Sequence, residues 1–474
     1  MVTLPSAALE VALRLTPKIV EGLATGKYKR FGGVIREAAT GRIVVMLREA
    51  GSSGILPGSL TNTIINVLSL GASAGSAKLT SDGFFSVDQR LDGIGQQLGG
   101  ITQSLKLPMM IDPVTGVLNL VMSGVNTGVS IKGFSDVNHK LNGVGEQLGF
   151  IGQNLQQVEG LVRLSSAGSI LNLGVSVVGF SVIAHCLGEL EQRLQRSQEL
   201  LNKVNRKIDL SFYANFRAAL DLAANAFSMS KVENRRSSAL AAINRFLEAE
   251  HIYTDFVDQE LEQKSQITDE YLLTLCLAYL AEARCYLELE EFDTAIRRFQ
   301  EGSQKIRTRI QKYVELLLTS NPAAYLHPQF KGQIDLQRLT KIYQWIDSST
   351  NENSVFELLR ASLYNLKKDQ GQESGYGWVT TLPPAIVDKS EVKGSILGNK
   401  AETNQEAMRR LPEVLQTMES MIETSYRFEA YQAEVKAISQ LGVTFHGWMQ
   451  LKPKEPLPEG SNLMYIIPAE PLSL

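Results

Sequence analysis

The sequence predicts a mainly α-helical protein whose two ends form a small β-sheet. Apolar residues recur at heptad spacing in the first half of the chain and at α-helical spacing through most of the second half. Short runs rich in β-branched and aromatic residues occur near the two ends. With 474 residues, the chain is long enough for roughly two to four domains. We predict four regions, at residues 1–54, 55–208, 209–440 and 441–474.

The N-terminal region is predicted to combine one amphipathic helix with a β-hairpin. The helix carries apolar residues at helical spacing, namely Ala8, Val11, Leu15 and Ile19. Pro17 is predicted to kink it. Two β-prone runs, residues 28–37 and 42–48, flank a short turn that ends at Gly41, which is typical of a hairpin.

An internal repeat occupies residues 55–208. Residues 91–101 match residues 141–151 at an offset of 50 positions, and residues 133–141 match residues 179–187 at an offset of 46. Three copies of a unit of this length indicate a repeat architecture.

Each copy continues from a Gly-Phe pair into a heptad run, in which apolar residues alternate steps of three and four. Such a seam keeps one face of a helix against a partner helix, in a coiled coil or in the core of an ordinary helical bundle. The central seam residues are Leu91, Ile94 and Leu98 in the first copy, Leu141, Val144 and Leu148 in the second, and Leu187, Leu190 and Leu194 in the third.

An uncharged stretch precedes the heptad run of each copy, at residues 51–77, 113–131 and 164–188. Each stretch is long enough to cross a hydrocarbon core of about 30 Å as a helix. The seam, extended backwards, carries small or polar side chains, whereas larger apolar residues lie off it, among them Val121, Val125, Val175 and Val178.

This inverted pattern is typical of helices that pack against one another in lipid. Two of the stretches also contain GxxxG spacings, and a buried soluble bundle or a set of loops is the alternative interpretation. The predicted membrane or helix-contact residues are Gly71, Gly75, Ser123, Gly124, Thr127, Gly128, Ser130 and Ser176.

Residues 269–302 resemble a tetratricopeptide repeat. Small and aromatic residues stand where that family places its packing residues, namely Ala283, Tyr286, Ala295, Phe299 and Gly302. The family's usual proline after the second helix is missing, and Arg307 stands there. The resemblance implies a helix hairpin of the kind that contacts a protein partner, and an ordinary helical hairpin is the alternative.

The remainder of the chain is predicted from breakers and periodicity. Residues 367–400 are predicted to form a linker or long loop, and residues 404–440 another helix. Two β-prone runs follow, at residues 443–451 and 463–467. We predict that they pair with the N-terminal hairpin as one small sheet.

No motif of catalysis or cofactor binding is recognisable. The sequence contains neither a nucleophile elbow nor a phosphate-binding loop, and its five histidines lack metal-ligand spacing. We therefore expect no enzyme activity, cofactor or metal. The net charge of −3 argues against a chain-wide nucleic-acid footprint. Three scattered cysteines and the absence of a signal peptide favour a reducing, cytoplasmic location. The uncharged stretches leave association with a membrane open as part of this expectation.

The functional expectation is a membrane-active helical protein. Its repeats would oligomerise and perforate or perturb a lipid membrane, as in the general plan of α-helical pore-forming proteins, which residues 55–208 resemble without a family-specific motif. The C-terminal helical region would be a sensor or docking domain. The alternative is a soluble scaffold that self-associates through its heptads and holds a protein partner at the tetratricopeptide-like hairpin.

Overall fold

The computed structural model describes residues 9–49, 171, 173–201, 210–327, 330, 334, 336–370, 377–387, 400–453 and 463–473. The described part is mostly helical, with one five-stranded sheet. The strands are β1 (Leu9–Ala12), β2 (Tyr28–Phe31), β3 (Val34–Glu37), β4 (Ile43–Glu49) and β5 (Leu463–Pro468). The helices are α1 (Pro17–Ala24), α2 (Phe180–Leu201), α3 (Ser211–Ser228), α4 (Val232–Glu262), α5 (Thr268–Glu288), α6 (Phe292–Leu318), α7 (Leu336–Ile346), α8 (Glu352–Gln370), α9 (Lys400–Gln440) and α10 (Phe445–Met449).

The sheet joins the two ends of the chain and is antiparallel throughout. Its strand order is β1-β5-β4-β3-β2, so the C-terminal strand lies between two N-terminal strands. Met46 of β4 pairs with Ile466 of β5, whose other neighbour is Val11 of β1. The prediction that the terminal segments form one small sheet is therefore confirmed.

The sheet is covered on both faces. Side chains of a strand alternate between the two faces of the sheet. Tyr465 packs on the face covered by α1, whereas Met464 and Ile466 pack on the opposite face, in the core formed with the other helices. Ile19 of α1 is buried in the outer layer. Tight packing there depends on Gly22, because a Cβ at this position would lie 2.2 Å from the Tyr28 ring.

The predicted N-terminal helix is wrong over residues 9–12, which form β1. The helical spacing of Val11, Leu15 and Ile19 is real, but four residues gain main-chain hydrogen bonds by pairing with β5. Pro17 does not kink a helix. It occupies the first turn of α1, where its missing N–H costs nothing. The run 28–37, predicted as the first strand of the hairpin, forms two strands, β2 and β3. The chain turns between them at Gly32, whose φ is +53°.

Helix α5 lies at the centre of the helical part. It packs against α2, α4 and α6, and every side chain from Thr268 to Cys285 is buried. Helix α6 packs against α9 on its other side, and α3 packs against α4. A helix buried all round carries no amphipathic pattern, because it has no solvent-facing side.

The predicted tetratricopeptide-like segment is a helix hairpin, formed by α5 and α6. Ala283, Ala295 and Phe299 are fully buried within it. The two helices have 21 and 27 residues. The hairpin is therefore longer than the repeat unit of that family, which has roughly 34 residues. The structure thus shows the hairpin, and the family resemblance stays a prediction.

Two C-terminal predictions differ from the structure. Residues 445–449, within the run predicted as a strand, form helix α10, because the Thr444 side chain caps Gly447 and Phe445 and Trp448 are buried on one face. The predicted linker contains a packed part, residues 377–387, in which Trp378 and Ile386 are buried.

Candidate functional site

The most distinctive site in the described structure is the point at which the chain leaves the sheet and returns to it. Residues 50–170, which we call the repeat segment, lie outside the described residues. Glu49 ends β4 just before this segment, and Leu171 follows it. Leu171 and residues 173–179, which we call the strap, run back over the sheet to the start of α2.

The residues that flank the repeat segment are held together at this site. The Glu49 side chain accepts a hydrogen bond from the backbone N–H of Leu173, with 2.7 Å between Oε1 and N. Gly33 lies against the same residue, because a Cβ on Gly33 would be 2.2 Å from the carbonyl oxygen of Leu173. The chain therefore departs and re-enters at one place.

Helix α9 supplies three charged side chains that face the strap. Glu423, Arg427 and Glu434 follow one another at steps of four and seven residues, which places them on one helix face. Arg427 donates to the carbonyl oxygen of Leu171. Glu434 accepts from the N–H of Val175, with 2.6 Å between Oε2 and N.

Glu434 is a buried carboxylate with several donors. Its Oε1 accepts from the indole N–H of Trp448 at 2.8 Å, and Arg48 lies nearby as a counter-charge. Burial raises the pKa of Glu434 above its ordinary value, although the hydrogen bonds from Trp448 and Val175 and the charge of Arg48 oppose this shift.

Arg48 connects the strap to the C-terminal helix α10. Its guanidinium donates to Ser176 Oγ at 3.3 Å, to the carbonyl oxygen of Trp448 at 2.8 Å, and to the carbonyl oxygen of Leu451. The side chain is 3% exposed, and this burial lowers the pKa of Arg48. A buried guanidinium that satisfies several carbonyl oxygens fixes their relative positions.

Arg284 of α5 holds the strap from the helical side. It donates to the carbonyl oxygen of Ser176 at 3.3 Å and pairs with Glu288. Its guanidinium also stacks over the ring of Phe445, 4.5 Å from the centroid. Burial lowers the pKa of Arg284, against the charge of Glu288.

A second ion pair fixes the sheet edge next to the strap. Arg30 of β2 binds Glu423 through two hydrogen bonds, of 2.9 and 3.0 Å, and Arg427 binds the same carboxylate at 3.0 Å. Burial alone would raise the pKa of Glu423, but Arg30 and Arg427 hold it below its ordinary value. These side chains direct their hydrogen bonds to the chain itself, so the site is built to hold a backbone.

The third uncharged stretch does not have the predicted structure. Residues 175–177 form a 3-10 turn, and the helix begins only at Phe180. Val175 is fully buried and Val178 is 2% exposed, both in the main core. Bulky valines therefore pack inside the protein at this stretch, and the inverted pattern that indicated a bilayer is wrong here.

The predicted site residues are distributed as follows. Ser176 lies in the strap, where its side chain is buried and accepts from Arg48. Leu187, Leu190 and Leu194 form the buried face of α2, which packs on α3 and α5 of the same chain. The remaining predicted residues lie outside the described residues, namely Gly71, Gly75, Leu91, Ile94, Leu98, Ser123, Gly124, Thr127, Gly128, Ser130, Leu141, Val144 and Leu148.

Sequence reasoning missed the charged side chains of this site. Arg48 binds Trp448, 400 positions away in the sequence, so no local residue spacing predicts this contact. One signal existed in α9, because Glu423, Arg427 and Glu434 share a face with the buried residues Ala430 and Tyr431. Charges on an otherwise buried helix face indicate partners on another element.

Neither a metal centre nor a membrane-spanning helix is found within the described ranges. In that part of the chain, no three His, Cys, Asp or Glu side chains are grouped so that they could hold a metal ion. None of its helices combines the length and the apolar character that crossing a bilayer requires. The chain matches no known protein family, and searches of curated proteins and of solved structures find no significant relative.

Proposed function

We propose that the sheet and helices form a base that holds the repeat segment by both ends, and that the repeat segment acts on a lipid membrane. The observation that carries the first part of this proposal is the hydrogen bond between Glu49 and Leu173, which flank the repeat segment. Because these flanking residues are fixed to each other in the base, the base can keep its fold while the segment engages a surface.

The membrane part of the proposal rests on the sequence of the first two copies. Residues 51–77 and 113–131 carry no formal charge and contain GxxxG spacings at Gly71–Gly75 and Gly124–Gly128. The third stretch contributes no support, since its described residues, from Leu171 onwards, belong to the base. Self-association of the repeat segment through its heptads would assemble several copies at the membrane.

The helical base also limits where a protein partner could dock. Helix α5 is buried on all sides over residues 268–285, so it has no face for a partner. Next to α5, the helices α4 and α6 do carry exposed residues. We propose that any sensor or docking role of the C-terminal region uses these two helices.

Dye release from liposomes tests the membrane function with the full chain. A double variant, Val121→Asp with Val125→Asp, places two charges in an uncharged stretch. Each charge at a bilayer centre costs about 2.5–3.5 kcal/mol, so we expect leakage and liposome flotation to fall more than tenfold. Leu358→Asp, on the exposed surface of α8, is the matched control and should leak like the wild type.

The outcomes separate the function from the segment that performs it. Absence of leakage and of flotation in the wild-type chain, with anionic and with neutral vesicles, would discard the membrane function. Leakage that survives the double variant would show that another part of the chain contacts lipid.

The second candidate function is a soluble scaffold that mediates protein–protein contacts. One observation favours it: Val175 and Val178 are buried in the core of the protein. A chain that keeps one size in solution without detergent, and does not bind vesicles, would support the scaffold function.

A further inference from the structure

A buried cluster of charged side chains joins α4 to the α5–α6 hairpin, far in sequence from the strap. Arg298 of α6 lies at its centre. It donates to Glu282 of α5 at 2.6 Å, to Glu301 at 2.7 Å, and to Glu250 of α4. Lys305 completes the cluster, 2.9 Å from Glu301. Glu282 is fully buried and Glu250 is 4% exposed.

The cluster has one acid more than it has bases. Glu250, Glu282 and Glu301 face the two cations Arg298 and Lys305. Glu250 and Glu282 both accept from the Arg298 guanidinium, so two buried carboxylates face one cation, and such a site favours a proton on one of them. The remaining Oε1 atoms of both residues have no other partner.

The other titratable groups around the pair do not supply a positive charge. Tyr279, Cys285 and Tyr286 sense these carboxylates, and the pKa of each is raised, first by burial, so they are neutral near pH 7. Arg297 is exposed and acts on Tyr286 from outside the cluster. Glu301 and Lys305 are 42% exposed, so the buried part of the cluster is two carboxylates on Arg298, and a proton would balance the second of them.

We propose that the Glu250–Glu282 pair on Arg298 holds one proton that helps to join α4 to the α5–α6 hairpin, and that its loss as the pH rises loosens this joint. Deprotonation would leave two anionic carboxylates on one guanidinium in a buried site, where like charges repel strongly. The helical base would thus be tightened by acid and loosened by alkali.

The protonation energetics agree with this geometry. Burial, followed by the charge of Glu282, raises the pKa of Glu250 from 4.5 to about 9. A group whose pKa is raised by folding binds its proton more tightly in the folded state. Its contribution to stability is present at low pH and declines as the pH rises from the ordinary pKa towards about 9.

A second acid pair at the other end of α5 repeats the arrangement. Asp269 and Glu270 are adjacent and buried, and one cation, Arg193 of α2, acts on both. Burial raises the pKa of both carboxyls. Tyr213 of α3 and Tyr313 of α6 face this pair and are kept neutral by burial. Two acids and one arginine again require one proton for neutrality.

Urea unfolding of the full chain between pH 7 and pH 9, followed by helical circular dichroism, tests the proposal. Each proton taken up on folding makes the folding equilibrium constant fall up to tenfold per pH unit. Glu250→Gln keeps a neutral hydrogen-bond donor towards Glu282. We expect the wild-type constant to fall at least tenfold more than that of Glu250→Gln over this range. Glu248→Gln, an exposed change two residues away, is the matched control and should follow the wild type.

A Glu250→Gln curve that runs parallel to the wild type would overturn the proposal. If Glu250→Gln does not fold, Glu282→Gln replaces it, with the same expectation. The infrared absorption of protonated carboxyls in the wild-type chain needs no variant: we expect it at pH 7, with a loss of intensity towards pH 10. Its absence at pH 7 would also overturn the proposal.

Discussion

Gly33 lies so close to the carbonyl oxygen of Leu173 that an added Cβ would approach it to 2.2 Å. On its other side, the carbonyl oxygen of Gly33 accepts a hydrogen bond from the N–H of Leu47 at 2.7 Å. The strap therefore rests on backbone that is already committed to the sheet. The opposing atom of Leu173 belongs to its backbone and cannot move away as a side chain could, so the contact requires a residue without a Cβ.

Gly33→Ala is expected to displace the strap and to destabilise the base. Overpacking of this kind costs about 1–3 kcal/mol, and we expect a value in the upper half of that range because the opposing atom belongs to the backbone. Gly179→Ala is the control within the strap, since a Cβ there meets only Ser181 Oγ at 3.9 Å. Urea unfolding measures both, and equal losses in the two variants would contradict the close approach.

Arg48→Met should be among the most destabilising single changes in the described structure. It removes the buried donor of three hydrogen bonds and leaves the Glu434 carboxylate without its counter-charge. Breaking a buried pair from one side costs about 3–5 kcal/mol. We expect the free energy of unfolding to fall by that amount, and the double variant with Glu434→Gln to lose less than the sum of the single changes.

Arg42→Met is the matched control for Arg48. Arg42 pairs with Glu37, but its side chain is 43% exposed, and such pairs contribute about 1 kcal/mol or less. A loss at Arg42 as large as the loss at Arg48 would show that the burial of Arg48 does not matter.

The sequence predicts the secondary-structure elements better than it predicts which side chains contact one another. The spacing of Leu187, Leu190 and Leu194 in α2 coincides with a buried helix face, because packing against a core selects apolar residues at that period. The terminal sheet is predicted because β-prone runs stand out against a helical chain. β1 is missed because four residues fit both periods, and pairing with β5 decides between them.

The candidate site was beyond sequence reasoning for a physical reason. The site consists of buried charged side chains, namely Arg48, Arg284 and Glu434. The residues next to them in the sequence do not indicate which distant group compensates each charge. Val175 and Val178 were misjudged in the same way, because their uncharged surroundings are equally compatible with lipid and with a protein core.

Glu423→Gln should weaken the base at neutral pH and flatten its acid unfolding. The pKa of Glu423 is lowered by Arg30 and Arg427, against the effect of burial. A carboxyl with a lowered pKa contributes stability above its ordinary pKa and loses it as the pH falls through the folded value. We expect a loss of about 2 kcal/mol at pH 7, the scale of a hydrogen bond to a charged group, and a smaller slope below pH 4.5.

Glu315→Gln, at an exposed position of α6, is the control for acid unfolding. It should keep the wild-type slope. An acid transition unchanged by Glu423→Gln would show that the Arg30–Glu423–Arg427 pairing does not set acid stability.

Gly302→Ala and Gly188→Ala should change stability in opposite directions, although both glycines are helical. Alanine favours a helix over glycine by about 1 kcal/mol. At Gly188 a Cβ meets nothing within 4 Å, so we expect a gain of up to about 1 kcal/mol. At Gly302 the Cβ would lie 2.8 Å from the Tyr279 ring and 3.1 Å from Phe428, both buried.

The overpacking at Gly302 exceeds the helix-propensity gain, and we expect a net loss of about 1–2 kcal/mol. The α5–α6 hairpin and α9 meet at this glycine, so the loss measures how closely the three helices are packed. Thermal unfolding of the two variants beside the wild type decides the sign. A gain at Gly302 comparable to that at Gly188 would mean that α9 can move away from the hairpin at little cost.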